Sequence, residues 1–330
     1  MDKNSLIYVA GHRGLVGSAL LRALAAQGFD RVVTRTHAEL DLTDARATDT
    51  FFAHEKPSHV FLAAARVGGI QANNTYPADF ILDNLAIQNS VVSAAHRHGV
   101  ERLLFLGSSC IYPRLALQPL RESYLLGGPL EATNRPYALA KIAGIELCWS
   151  FNRQHGTRYL AVMPTNLYGP GDNHDLQNSH VIPALIRKFH EAKQRGDSSV
   201  TVWGTGQPRR EFLYSDDMAD ACLFLMNLSE ARYEGLLWPA GDAVSSSEQG
   251  LAPLVNIGVG QDVSIAELAL VVRGVIGYGG DISFDTTKPD GTPRKLLDVS
   301  RLSDLGWRAT TSLQIGIGKA YASFRERAGG

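Results

Sequence analysis

Residues 6–17 read LIYVAGHRGLVG. A short apolar run, Leu6–Ala10, meets Gly11, Gly14 and Gly17, and a helical pattern begins at Leu15. The order predicts a strand, a tight turn and a helix. Glycines at this spacing let the backbone approach a pyrophosphate, which then sits at the helix N-terminus. His12, Arg13, Leu15 and Val16 complete the turn, so residues 11–17 together are candidate dinucleotide contacts.

The pattern continues outward from that turn. Short apolar runs at Arg31–Arg35, His59–Ala64, Arg102–Gly107 and Tyr159–Pro164 alternate with helical patterns at Leu15–Gln27, Ala45–Glu55, Ala78–His98 and Tyr137–His155. Fully apolar strands alternating with helices predict an α/β fold, a doubly wound parallel sheet of the Rossmann kind covered on both faces. After Pro164 the order becomes less regular. The loop NLYGPGDN leads to a helix near 180–195 and a short strand, VTVWG. We expect a smaller mixed α/β substrate-binding domain over about 171–211 and 260–330. Residues 1–170 and a returning stretch, about 212–259, then form the dinucleotide-binding domain. Residues 239–253, PAGDAVSSSEQGLAP, read as an exposed loop.

Composition limits the function classes. The chain of 330 residues has 45% hydrophobic content, ample for more than one core. A net charge of -1 gives no overall basic character to attract nucleic acid or an anionic membrane surface. Three cysteines are too few for a disulfide scaffold, which favours a reduced, cytoplasmic compartment. No apolar run approaches the roughly 20 residues of a membrane span. The first apolar run leads into glycines without a small-residue cleavage site, so it reads as a strand and not a signal peptide. No metal-ligand spacing stands out.

The nicotinamide cofactor can be argued from charge. An acid at the end of the second strand would bond a free ribose 2′-hydroxyl, whereas arginine there suits a 2′-phosphate. That strand end offers Arg35, and Arg13 lies inside the glycine turn. Two guanidiniums suit a phosphate monoester, so NADPH/NADP+ is the expected cofactor. Asp41 and Leu42 can flank the adenine, while Asp44 can cap the following helix.

The fourth strand runs into GSSC, placing Ser108 outside a strand's carboxyl end, where doubly wound sheets bind ligands. Tyr137 and Lys141 stand four apart, on one face of a helix. A phenol ionises near pH 10, and a nearby ammonium, with the positive charge of the oxidised cofactor, favours phenolate, which makes Tyr137 a workable acid or base. Ser108 can bond the same substrate oxygen. Dinucleotide turn, strand-end serine and Tyr-x-x-x-Lys, in this order, resemble the extended short-chain dehydrogenase/reductase superfamily. The stretches GSSCIYP, VGGIQANNTYPADF, MPTNLYGPGDN, NSHVIPALI and KPDGTPRKLLDV narrow the resemblance to the GDP-L-fucose synthase family.

That resemblance implies an NADPH-dependent epimerase/reductase acting on GDP-4-keto-6-deoxy-D-mannose. A ketone at C4 acidifies the C–H bonds at C3 and C5. Inversion needs a base on one face and an acid on the other: Cys110 as base and His180 as acid. Ser108 and Tyr137 would hold the C4 oxygen, and Tyr137 would protonate it on reduction. The resemblance also places Leu106, Gly107, Ser108, Ser109, Lys141 and His180 at the cofactor, and Pro164, Thr165, Asn166 and Leu167 along the nicotinamide. Lys188, Trp203, Arg210 and Asp290 fall on substrate positions. Lys188 stands where an arginine can occur, and His37 where a second 2′-phosphate arginine can. A homodimer on a four-helix interface is implied. Two other readings compete: a nucleotide-sugar 4-epimerase or dehydratase of the same superfamily, or a non-catalytic NADP-binding redox sensor. A dehydratase would want an Asp–Glu pair where this chain has Ser109 and Cys110.

Overall fold

The structure, a computed structural model, describes residues 1–176, 179–238 and 253–328. The loop read at 239–253 therefore lies outside the described residues, apart from Pro253.

The chain opens with β1 (Ile7–Ala10), α1 (Leu15–Ala26), β2 (Val32–Val33), α2 (Ala45–Glu55) and β3 (His59–Leu62). A short α3 (Ile70–Thr75) precedes α4 (Pro77–Arg97), β4 (Arg102–Leu106), α5 (Arg135–His155) and β5 (Tyr159–Pro164). Local chemistry sets several of these ends. Asp44 caps α2 by accepting from the N–H groups of Arg46 (2.8 Å) and Ala47 (3.0 Å). Prolines stand in the first turns of α4 and α5, where a missing N–H costs no helical bond. Gly156 ends α5 in the left-handed region.

The second half supplies β6 (Asn166–Tyr168), α6 (Val181–Arg195), β7 (Ser199–Trp203), β8 (Arg209–Arg210), β9 (Phe212–Tyr214), α7 (Ser215–Met226) and α8 (Glu230–Leu237). Then come β10 (Leu254–Ile257), β11 (Val263–Ser264), α9 (Ile265–Ile276), β12 (Asp281–Asp285), β13 (Arg294–Lys295), α10 (Ser300–Asp304) and α11 (Leu313–Ala328).

Six strands form one parallel sheet in the order β10-β5-β4-β3-β1-β2. β1, β3, β4, β5 and β10 are buried at every residue, as strands covered on both faces must be. Leu20, Leu24, Met218, Cys222 and Tyr233, from α1, α7 and α8, pack one face. Phe52, Val91, Ile145 and Cys148, from α2, α4 and α5, pack the other. The chain leaves β1 for β2 on one side and reaches β3 on the other. That reversal opens a crevice above the carboxyl ends of the strands, the place for a ligand in such sheets. β2 is shorter than expected: only Val32 and Val33 register with β1, and Arg35 turns away toward α2.

A third core joins α6, α9 and α11 to β7 through Ile182, Phe189, Leu268, Val272, Ile317, Val200 and Val202. β7 alternates exposed and buried residues, so Val200 and Val202 face that core and Trp203 faces out. β8 pairs with β11 and β13, and β6 with β9. These small sheets bring the third core against the crevice.

Candidate active site

The glycine turn is built for close approach. Gly11 has φ +83°, and a Cβ there would lie 2.7 Å from the Ala64 nitrogen. A Cβ on Gly17 would overlap the Gly11 carbonyl oxygen. Gly14 donates to that same oxygen at 3.0 Å and stands at the N-cap of α1 without a side-chain cap, and no acid occupies the first turn. The helix N-terminus is thus left to an anionic ligand. His12 has a buried Nδ1 without a hydrogen-bond partner. This cradle fits a dinucleotide diphosphate.

The adenosine side differs from the sequence expectation in one respect. Arg13 is exposed, but Arg35 donates to Glu55 (2.5 Å) and to the Thr34 carbonyl (2.8 Å), with its guanidinium over the Phe51 ring. A second acid, Glu39, accepts from the Thr36 N–H at 2.7 Å, and that bond holds its carboxyl below the usual range, with Arg35 and Arg13 adding to the effect. The sequence reading gave weight to the strand-end arginine and missed both acids. His37 is exposed, 3.8 Å from Asp41. Asp41 accepts from the N–H and hydroxyl of Thr43, which fixes the turn, and Leu42 is buried beneath it.

At the end of β4, a Cβ on Gly107 would overlap the Met163 side chain, so the chain passes tightly over β5. Ser108 then caps a single 3₁₀ turn, Ser109–Ile111, accepting from the Cys110 N–H at 3.4 Å. That turn places Cys110 beside Ser108 instead of sending it into the sheet. Cys110 is buried, and burial pushes its thiol up; the Lys295 ammonium, Ser108 and Lys141 act the other way.

Lys141 is buried and donates to the Leu106 carbonyl at 2.8 Å. Its ammonium lies 4.8 Å from the Phe105 ring centroid and 5.7 Å from that of Tyr137. Burial brings its pKa down to about 8. Tyr137, edge-on to Phe80, is driven well above its ordinary pKa by burial first and then by Cys110, with Ser108 opposing. Burial, the largest effect, favours the protonated phenol here. The backbone carbonyl takes the lysine, and the hydroxyl stays protonated, as a proton donor requires.

His180 is itself the N-cap of α6, and its carbonyl accepts from Ala184 at 3.1 Å. Ser179 is not the cap, and Asn178 lies outside the described residues. His180 is exposed, yet the surrounding protein lowers its pKa, and Lys295 lowers it further.

Thr165 and Asn166 leave β5 toward the small sheets. Both bond the Glu211 carbonyl, at 3.2 and 2.8 Å. The fully buried Glu211 carboxylate accepts from Val259 (2.6 Å), Gly260 (2.7 Å) and Leu297 (3.0 Å). Glu211 thus ties these segments together, its carbonyl holding Thr165 and Asn166 and its carboxylate holding the ends after β10 and β13. Trp203 is 62% exposed, with the ammoniums of Lys188 (5.3 Å) and Lys288 (5.5 Å) at its ring. Lys188 also donates to the Thr201 carbonyl at 3.2 Å. Asp290 accepts from the N–H and hydroxyl of Thr205, and Arg210 helps keep its carboxyl low. Arg210 itself is partly buried beside Gly291. The sequence reading missed Glu211, Lys288 and Lys295. Its signals were a charge inside REFLY and a lysine next to arginine in KPDGTPRKLLDV. Among the described residues no metal-ligating cluster occurs, and no helix is long and apolar enough to cross a membrane.

Residues 7–236 match the model of the NAD dependent epimerase/dehydratase family. GDP-L-fucose synthase 1 of Arabidopsis thaliana is 56% identical, covering 97% of this chain and 93% of that one. GDP-L-fucose synthase of Escherichia coli (strain K12) is 53% identical over 97% of this chain and 96% of its own. A GDP-mannoheptose C4 reductase from Campylobacter jejuni, solved with NADP bound, superposes with a TM-score of 0.86 at 39% identity, covering 98% of this chain and 99% of that one. The glycine turn, the Ser108–Tyr137–Lys141 group and the match over nearly the full length agree: the chain belongs to the NAD dependent epimerase/dehydratase family and, within it, to the GDP-L-fucose synthases.

Proposed function

We propose that this chain converts GDP-4-keto-6-deoxy-D-mannose to GDP-L-fucose, inverting C3 and C5 and then reducing C4. The observation that carries the reading is the thiol of Cys110 inside a reductase site. Tyr137 responds to Cys110, and Cys110 to Lys141 and Ser108. Neither a simple 4-epimerase nor a plain C4 reductase needs a base there.

The C4 ketone acidifies C3–H and C5–H, and Cys110 thiolate takes the proton. The enolate charge falls on the C4 oxygen, where Ser108 and Tyr137 donate hydrogen bonds. His180 returns a proton from the opposite face. At rest, burial and Lys295 favour its neutral form. The diphosphate that Arg210 and Lys188 suit brings negative charge that favours imidazolium. Trp203 offers a stacking surface, and Asp290 holds its loop through Thr205. When bound, NADPH supplies the hydride for C4. Tyr137, protonated at rest, gives the C4 oxygen its proton.

NADPH is supported by the cradle at Gly11 and Gly17 and by Arg13 and Arg35. Arg35 must exchange or share Glu55 to meet a 2′-phosphate. We expect Arg35→Ala to lower the NADPH-over-NADH ratio of kcat/KM about tenfold, the loss of roughly 1.4 kcal/mol of charge-assisted bonding. Steady-state kinetics with both cofactors checks this; an unchanged ratio would leave Arg35 to Glu55 alone. The partner this reading carries is a second copy packed on α4 and α5, where Leu82 and Leu139 are exposed. Three free cysteines suit a cytoplasmic enzyme.

The test is incubation with GDP-4-keto-6-deoxymannose and NADPH, with the product identified. GDP-L-fucose is expected. A GDP-6-deoxy-D-sugar reduced at C4 without inversion would leave a reductase only.

A further inference from the structure

The two arginines expected at the ribose 2′-phosphate are not held alike. Arg13, in the glycine turn, is exposed and makes no ion pair among the described residues. Arg35 is held in three ways. Its Nη2 donates to the Glu55 carboxylate at 2.5 Å, its Nη1 donates to the Thr34 carbonyl at 2.8 Å, and its guanidinium lies 5.2 Å from the centroid of the Phe51 ring. Phe51 and Glu55 stand four apart on α2, so one helix face supplies both the ring and the carboxylate. The other acid nearby, Glu39, accepts from the Thr36 N–H instead.

Glu55 gains nothing from its own helix. It is the last residue of α2, where a carboxylate meets the negative end of the helix dipole. His54 stands 3.6 Å from the same oxygen, so Arg35 is the closer cation. That end of α2 leads into the amino end of β3, on the side of the sheet away from the crevice. A guanidinium bonded there is drawn away from the carboxyl ends of the strands, where doubly wound sheets bind ligands. The side chains of Arg35 and Glu55 are 34% and 20% exposed, and with Arg46 and His54 they line an open cavity of about 580 Å³. Parting the pair therefore displaces solvent and leaves the core in place.

We propose that Glu55 is a specificity-determining residue for the cofactor: it competes with the 2′-phosphate for Arg35 and so weakens the preference for NADPH over NADH. The inference rests on the reading of Arg35 as the group that meets the 2′-phosphate. A guanidinium binds a carboxylate and a phosphate through the same N–H donors, so one bond is made at the expense of the other. Arg35 must leave or share Glu55 to meet NADPH. NADH carries a free hydroxyl at that position, and the pair stays closed. The cost of parting Arg35 from Glu55 thus falls on one cofactor only.

Binding is read in the whole protein without sugar nucleotide, from the nicotinamide fluorescence of NADPH and of NADH. Glu55→Gln is expected to lower the NADPH dissociation constant about threefold to fivefold, the effect of a partly exposed ion pair, and to leave that of NADH unchanged. Glu55→Ala, which also removes the acceptor, should match or exceed it; it supplies the answer if Gln impairs folding. In an Arg35→Ala background, Glu55→Gln should no longer change NADPH binding. The same gain in that background would mean that Glu55 repels the phosphate through its field alone, and it overturns the competition. Unchanged or weaker NADPH binding in Glu55→Gln, with Arg35→Ala still losing NADPH affinity, also overturns it; the weaker result would make Glu55 the group that orients Arg35 for the phosphate. Arg35→Ala without effect on NADPH affinity would overturn the reading of Arg35 itself, and the inference with it.

Discussion

Tyr137→Phe is expected to lower C4 reduction about 10²–10⁴-fold, the usual contribution of a positioned acid. The substitution removes one hydroxyl and keeps the ring against Phe80, so NADPH should bind with unchanged affinity. The phenol is raised by burial first and then by Cys110, which favours its protonated form. Washing in solvent deuterium at C3 and C5 should persist at a reduced rate, because Ser108 still donates to the C4 oxygen. Single-turnover oxidation of NADPH, with exchange followed by NMR, checks both parts. Turnover within a few-fold of wild type would mean that another group protonates the C4 oxygen.

The part of this site written most plainly in the sequence is the part made by local order. Gly11, Gly14 and Gly17 follow a strand, and their tight contacts depend on residues adjacent along the chain or on the next strand. Tyr137 and Lys141 share a helix face because α5 has a fixed period. The parallel sheet was legible for the same reason, since each apolar run is followed by its own covering helix. β10 was less legible. Its LVNI is too short to show a period, and its partner β5 lies far upstream. Lys295, Glu211 and Glu55 depend on such distant pairings: β13 on β8, Glu211 on residues 259–260 and 297, and Glu55 on Arg35 from α2. No spacing rule encodes which two strands meet. The protonation states were also hidden. That the Leu106 carbonyl takes the lysine, and that burial favours the protonated phenol, depends on packing that the spacing of Tyr137 and Lys141 does not encode.

Epimerisation and reduction should separate at Cys110. In the proposed mechanism the thiol takes no part in reduction at C4, which calls on Ser108, Tyr137, Lys141 and the cofactor. In D₂O, Cys110→Ala should lose deuterium incorporation at C3 and C5 by 10² or more, the lower range for removing a general base. Supplied with the ketone already inverted at both centres, it should still oxidise NADPH at a rate near wild type. Packing favours a clean result: the change removes one sulfur from a site at the crevice floor, away from the fully buried Cys148 and Cys222. His180→Asn should fail differently. Asparagine can serve at an N-cap, so α6 should start normally. Cys110 can then still remove and return a proton on its own face, giving exchange with retention, while inversion is lost because the opposite face has no donor. Exchange at both carbons in Cys110→Ala at the wild-type rate would make the thiol a packing residue. Loss of all exchange in His180→Asn, with Cys110 intact, would instead make the imidazole the base and reverse the two roles.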